Sequence, residues 1–371
     1  MRPLLFCYLM WRLLSPASAA AQVLRPGFDK AEYLEMLRLH VRMGGTDSAL
    51  WAGIPKPKYF RLTYRSPVVG LDNRWDLWTR ADGAVPQAVI SVRGTTLKPE
   101  SWLQNFYAAM LPARGELRLT KTRTFAYQLA DNPRAAVHAG WLLGLAVQSE
   151  GILHGIDSCY RAGTRDFIVM GHSQGGAIAY LLTSHLRSLQ AQGKLPADMR
   201  IKTYCSAGPK PGNLYYAYDY ERATSAGNAG SWAVNVVNPA DWVPEMPLTV
   251  QTEQDFNPVN PFAVLPAMSK KLPLSKRLAL GYAVGQLSRP AARTQRRYQR
   301  YLGRLAGGAV LKTLPDYQAP AFYPSGNYQR AGPPVVLPAD AAYYAKFPNN
   351  PSQLFLHHLF QAYYYLAERL P

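Results

Sequence analysis

The chain has 371 residues, 48% of them hydrophobic, and 41 Lys and Arg against 23 Asp and Glu give a formal net charge of +18. That length and apolar content can bury a large core in one domain, and neither an internal repeat nor a low-complexity tract divides it. So basic a balance admits a nucleic-acid ligand, but the Lys and Arg residues fall in no recognisable binding module, and that class is set aside.

In chain order, Arg2 precedes the apolar stretch Pro3–Trp11, and Leu13-Leu14-Ser15-Pro16 leads into the small residues Ala17 to Ala21. This is the pattern of a signal peptide over residues 1–21, cleaved after Ala19 or Ala21, and it predicts a secreted or periplasmic protein. Arg12 interrupts the run, which is too short to span a bilayer. Residues 22–371 then form the domain. Its two cysteines, Cys159 and Cys205, could pair in an oxidising compartment or stay as buried thiols.

Apolar runs at Tyr59–Tyr64, Trp75–Thr79, Ala88–Val92, Phe167–Met170, Lys202–Cys205 and Ala233–Val237 predict strands. Helical patterns alternate with them, so the fold class is α/β, a mostly parallel sheet flanked by helices. The first three runs precede any long helix, which predicts an antiparallel hairpin at one sheet edge. Arg93-Gly94-Thr95 reads on its own as a strand-ending turn. In Pro99–Met110, the residues Trp102, Leu103, Phe106, Tyr107 and Met110 put an apolar stripe on a short helix, as core packing or as a mobile cover.

Gly171-His172-Ser173-Gln174-Gly175 lies directly after the fourth strand and directly before the small-residue run Gly176-Ala177-Ile178-Ala179. A buried strand, a glycine-pinched turn and a helix are what a nucleophile elbow needs, since a Cβ beside the serine would strike the neighbouring backbone. Ser173 is thus the candidate nucleophile. The N–H of Gln174, which begins the helix, is a candidate oxyanion donor.

The other members of such a site follow in the order acid, then histidine. Asp241 ends an apolar strand in Asn238-Pro239-Ala240-Asp241-Trp242, at the same sheet edge as the elbow, although an Asx turn also suits it. After Ser173 the chain has only His185, His357 and His358. His185 lies about three helical turns past the elbow, too far along its helix to return to it. One of His357 and His358 is therefore the candidate base. His138, ahead of the nucleophile, reads as a structural hydrogen-bonding residue.

Several segments carry a resemblance. Val89 to Thr96 is similar to the "RGT" strand end of the fungal-lipase-like (class III) lipases of the α/β-hydrolase superfamily, with Trp102 and Asn105 following. Val137-His138-Ala139-Gly140-Trp141 resembles their "VHxGF". Gly171 to Gly175 resembles "GHSLGG" with Gln174 for leucine. Ala207 to Asn213 resembles "GxPRVGN", and Asn238 to Pro247 resembles "NxxDxVPxLP". His358 with Tyr363 fits a late "HxxxxY". The resemblance implies an α/β-hydrolase fold, a Ser173–Asp241–His358 triad with His357 as the alternate base, and Thr95 as the second oxyanion donor. It also implies that Pro99–Met110 covers the site and moves at a lipid surface. Asn105 stands where the family has an aspartate supporting the oxyanion residue, which implies a different wiring.

Between acid and histidine lies the largest departure. From Phe256 to Pro315 there are eleven Lys and Arg and no Asp or Glu, so residues 256–315 read as a basic helical insertion. Met268–Gln286 and Ala291–Leu305 are its expected helices, broken by Pro290. It suits docking on an anionic membrane or lipid-droplet surface, or a solvated insertion serving solubility. No His/Cys/Asp cluster has zinc spacing, and no Walker or dinucleotide fingerprint is present, so a cofactor-free reaction is expected. The function read here is a secreted, triacylglycerol-lipase-like serine ester hydrolase. The alternatives are a phospholipase, a short-chain or polysaccharide acyl esterase, and an inactive lipid-binding relative.

Overall fold

Seven strands form the central sheet of the computed structural model, which describes residues 23–44, 51–83 and 85–371; the expected signal peptide lies outside them. The strands are β1 (Phe60–Arg65), β2 (Trp75–Arg80), β3 (Gln87–Val92), β8 (Asp166–His172), β9 (Arg200–Ser206), β11 (Ala233–Val237) and β13 (Pro334–Val336), in that spatial order. β3 to β13 run parallel, while β1 and β2 turn antiparallel at one edge. In β8 all seven residues are buried. Ile168 and Met170 enter one core and Phe167 and Val169 the other, so alternation in direction does not become alternation in polarity.

On one face lie α1 (Lys30–His40) and, near the C-terminus, α10 (Phe360–Glu368); the other face carries α3 (Ala139–Arg161), α4 (Gln174–Ala191) and α5 (Leu214–Thr224). α2 (Pro99–Phe106) follows the loop after β3, α8 (Ala306–Thr313) packs against it, and α9 (Ala341–Lys346) precedes α10. A second sheet joins β12 (Tyr328–Gln329), β10 (Gly212–Asn213), β7 (Ala136–His138) and β4 (Met110–Pro112), and β5 (Arg114–Arg118) pairs with β6 (Thr124–Gln128).

Four readings are corrected. An eleven-residue helix, α1, precedes the first strands; Asp29 caps it by accepting the Glu32 N–H at 2.9 Å. α2 ends at Phe106, and Met110 belongs to strand β4, fully buried. The insertion divides instead into α6 (Pro261–Ser269) and α7 (Leu274–Arg297), separated at Pro273, which disfavours helix in the residue before it. Pro290 stays inside α7: the carbonyl it leaves without a donor is that of Gln286, an exposed residue whose carbonyl water can reach. An eight-residue π-helix, Tyr298–Leu305, links α7 to α8. Cys159 and Cys205 are both buried free thiols.

Candidate active site

Every predicted site residue follows the carboxyl end of a parallel strand, except the histidine pair, which occupies a short turn just before α10. Ser173 has φ 60° and ψ −131°, a backbone that non-glycine residues seldom adopt. Its neighbours show what holds it there. A Cβ on Gly171 would lie 2.1 Å from the Gly175 carbonyl oxygen, and one on Gly175 would lie 2.1 Å from that of Val92. Strand, turn and α4 are so close that only hydrogen fits, and Ser173 sits at the N-cap of α4, where the helix amides favour negative charge.

His358 Nδ1 is 2.7 Å from Asp241 Oδ2. The Asp241 side chain is fully buried; its Oδ1 accepts the Val243 N–H at 3.0 Å, and the Tyr363 hydroxyl donates to Oδ2 at 2.8 Å. The backbone ahead of His358 is tied down as well, since Asn238 Nδ2 donates to the His357 carbonyl at 2.9 Å. The His357 ring is committed elsewhere, with Nδ1 2.7 Å from the Tyr343 hydroxyl and Nε2 3.0 Å from Asn349 Oδ1.

His172 ties the turn that carries His358 to the elbow. Its Nε2 is 2.9 Å from the His358 carbonyl, which can only accept, so Nε2 carries the proton and Nδ1 accepts from Ser206 Oγ at 3.0 Å. Ser206 in turn takes the Tyr33 hydroxyl proton at 2.7 Å. Burial pushes the His172 pKa well below the usual histidine range, and a charge on His358 would lower it further, so this imidazole stays neutral. The His358 ring lies 4.8 Å from that of His172, the residue before Ser173. Among the described residues the Ser173 hydroxyl has no hydrogen-bond partner.

The oxyanion side is wired by a chain whose orientation chemistry fixes. Trp141 Nε1–H donates to Asn105 Oδ1 at 3.0 Å, and an indole can only donate, so Asn105 turns Nδ2 toward Thr95 Oγ1, 2.9 Å away. The Thr95 hydroxyl proton then goes to Gln174 Oε1 at 2.8 Å. Two of the departures from the family pattern, Asn105 and Gln174, thus complement each other. The backbone N–H groups of Thr95 and Gln174 meet no acceptor among the described residues. Behind this loop sits Asp72, in ion pairs with Arg93 (3.1 Å) and Lys98 (3.0 Å) and accepting from the Thr96 hydroxyl at 2.6 Å. Burial would raise its pKa, but the Thr96 and Lys98 hydrogen bonds and the nearby cations outweigh it, and the net shift is downward.

His138 is structural: its Nε2 lies 3.1 Å from the Asn105 carbonyl, its Nδ1 accepts the Trp141 N–H at 3.3 Å, and burial pushes its pKa down to about 3. His185 packs against Phe125, away from the elbow. An aromatic cluster adjoins His358, with Phe355 between Trp102 (6.1 Å), Trp242 (5.4 Å) and His358 (6.0 Å between ring centroids). Asp72, Asn238, Tyr33 and Ser206 were not singled out from the sequence. Asn238 alone left a trace there, three residues before the acid. No cluster of three or more His, Cys, Asp or Glu among the described residues could hold a metal ion.

A mostly parallel sheet, a strained serine at a strand-to-helix turn, and an aspartate and a histidine on later loops are the arrangement of the α/β-hydrolase fold. The family model for lipase (class 3) matches residues 89–251, from β3 past Asp241 and short of His358. Through that stretch the chain resembles the class 3 lipases, and the segment that carries His358 lies outside the match. No curated protein matches it. It is similar to the solved lipase II of Rhizopus niveus (19% identity over 58% of this chain and 72% of that one, TM-score 0.40). It is similar also to a triacylglycerol lipase of Penicillium expansum (14%, 60% and 75%, 0.42) and to a lipase of Yarrowia lipolytica (16%, 62% and 77%, 0.42).

Proposed function

We propose that this chain is a secreted serine hydrolase that cleaves carboxylic esters of lipids through an acyl-enzyme, at an anionic membrane or lipid-droplet surface. His358 Nε2 takes the Ser173 proton as the oxygen attacks the ester carbonyl, while Asp241 holds the Nδ1 tautomer and stabilises the imidazolium. The backbone N–H groups of Thr95 and Gln174 receive the developing oxyanion, a stabilisation of ~3–4 kcal/mol per donor. The imidazolium gives its proton to the leaving alcohol, and a water activated by the same ring releases the fatty acid. The observation that carries this reading is the 2.7 Å contact of His358 with Asp241, its ring 4.8 Å from that of His172, the chain neighbour of a serine held at φ 60°. The aromatic cluster supports an apolar acyl chain, and the run from Arg2 to Ala21 supports export.

A fluorophosphonate probe tests the reading. Labelling of the wild-type protein and none of a folded Ser173→Ala variant is expected, with esterase activity down by several orders of magnitude. His358→Ala should abolish turnover and His357→Ala should retain it. Absence of labelling overturns the serine mechanism. A p-nitrophenyl ester series confined to acetate and butyrate would make the protein a short-chain esterase instead.

A further inference from the structure

α6 has no buried residue and α7 has one, Gln295, so the two form an arm standing off the body of the domain. Its base is anchored: the Tyr298 hydroxyl donates to the Leu248 carbonyl at 3.0 Å, and the Ala109 N–H donates to the Leu302 carbonyl at 2.9 Å. Beyond that base, Met268, Leu274, Leu278, Tyr282 and Leu287 are each at least 62% exposed. Leu274, Leu278 and Tyr282 recur every fourth residue and so run down one side of α7, which Arg289, Arg293 and Arg296 continue toward the base. The tip between the helices adds Lys270, Lys271, Lys276 and Arg277.

The combination selects among occupants. An insertion serving solubility alone would not hold leucine, methionine and tyrosine in water, where bare apolar surface is unfavourable. A second copy of the arm would bring the same positive charge against it with no acid between Phe256 and Pro315 to offset it. A nucleic acid would satisfy the charge and leave the leucine side bare. A lipid surface carrying negative headgroups answers both: the acyl boundary takes the apolar side, and phosphates take the cations, whose stems can lie along it. Among the described residues no helix is long and apolar enough to cross a membrane, so the arm lies in the surface plane.

We infer that α6 and α7 are an in-plane anchor that docks this protein on anionic lipid surfaces. The link to substrate delivery rests on the lipid-ester reading; the docking does not. The test is co-sedimentation of the full chain with vesicles of phosphatidylcholine alone or mixed with phosphatidylglycerol. Binding to the anionic vesicles should be at least ~10-fold stronger. A Lys270→Glu, Lys271→Glu, Lys276→Glu, Arg277→Glu variant should fall to the level seen on phosphatidylcholine. A Leu274→Ser, Leu278→Ser, Tyr282→Ser variant should bind only at low salt. Both should hydrolyse soluble p-nitrophenyl butyrate like the wild type, since neither touches the site. Equal binding of variants and wild type would overturn the inference. So would a dimer lost in the serine variant, or tighter binding to duplex DNA than to vesicles. Vesicle binding that persists in a protein cleaving no ester would support the anchor while removing the lipase reading.

Discussion

Thr95 is the residue at which this site differs most from what the sequence suggests. A hydroxyl beside the oxyanion would be expected to stabilise it, yet its proton goes to Gln174 Oε1, an oxygen that can only accept, while Asn105 Nδ2 donates to the same hydroxyl. Thr95→Val should therefore lower kcat on a soluble ester by less than 10-fold, against the ~10²–10³ of a true donor loss. In a Gln174→Leu background the proton is freed, and the same substitution should cost more; the double-mutant cycle measures that difference. A loss of 100-fold in the otherwise wild-type enzyme would show that the hydroxyl itself serves the oxyanion. Ser173, Asp241 and His358 were legible because an elbow, a strand end and a scarcity of late histidines each narrow the choice. Asp72 and His172 were not, since a turn aspartate and a core histidine look the same in sequence whether or not they hold a loop or a base in place.

At the scale of elements, α2 carries the main question, whether the stretch behind the oxyanion loop opens at an interface. The helix is fastened at three points. Ser101 Oγ accepts the Thr96 N–H (3.1 Å), Asn105 joins Thr95 to Trp141, and the buried amides of Gln104 and Asn73 exchange hydrogen bonds at 2.8 and 3.1 Å. Swinging α2 away would leave those amides unpaired at about 1–3 kcal/mol each, more than a smooth opening allows. Tributyrin hydrolysis should accordingly saturate smoothly through the solubility limit, with Trp102→Ser altering KM alone; a sharp rise once droplets form would mean that α2 moves. The sheet was readable because β3, β8, β9 and β11 are buried on both faces and leave short, mostly apolar runs, broken only by single polar positions such as Ser91 and Asn235 and by Lys202-Thr203. α1 was not, because Glu35 sits in its buried face, satisfied by the N–H groups of Lys58 and Tyr59. Strands β10 and β12 have two residues each, too few to show any period.

For the molecule as a whole, buried histidines set the response to acid. Burial pushes His40 and His138 down to about 3 and His185, with Lys194 nearby, to about 4, from the ordinary 6.5. His40 Nδ1 meets Ser91 Oγ at 2.7 Å, and His185 packs 5.1 Å from the Phe125 ring, so each sits neutral in a place built for a neutral ring. Because their folded pKa values lie below the unfolded ones, the unfolded chain binds protons more readily under pH 6.5. Their contribution to stability is fully present above that pH and is lost as pH falls toward 3 to 4, at about 1.4 kcal/mol per group and pH unit. By pH 5 the three together remove about 6 kcal/mol, comparable to the ~5–15 kcal/mol that holds a domain folded. Protonation also adds to a chain already at +18, so self-repulsion acts in the same direction. Thermal unfolding followed from pH 8 downward should show a level Tm to about 6.5 and a steep fall beneath it. His185→Leu, which removes one titrating group and keeps an apolar side chain against Phe125, should make that fall shallower. A Tm that held level between pH 7 and 5 would mean that these rings accept protons without unfolding, and that the core around them admits water.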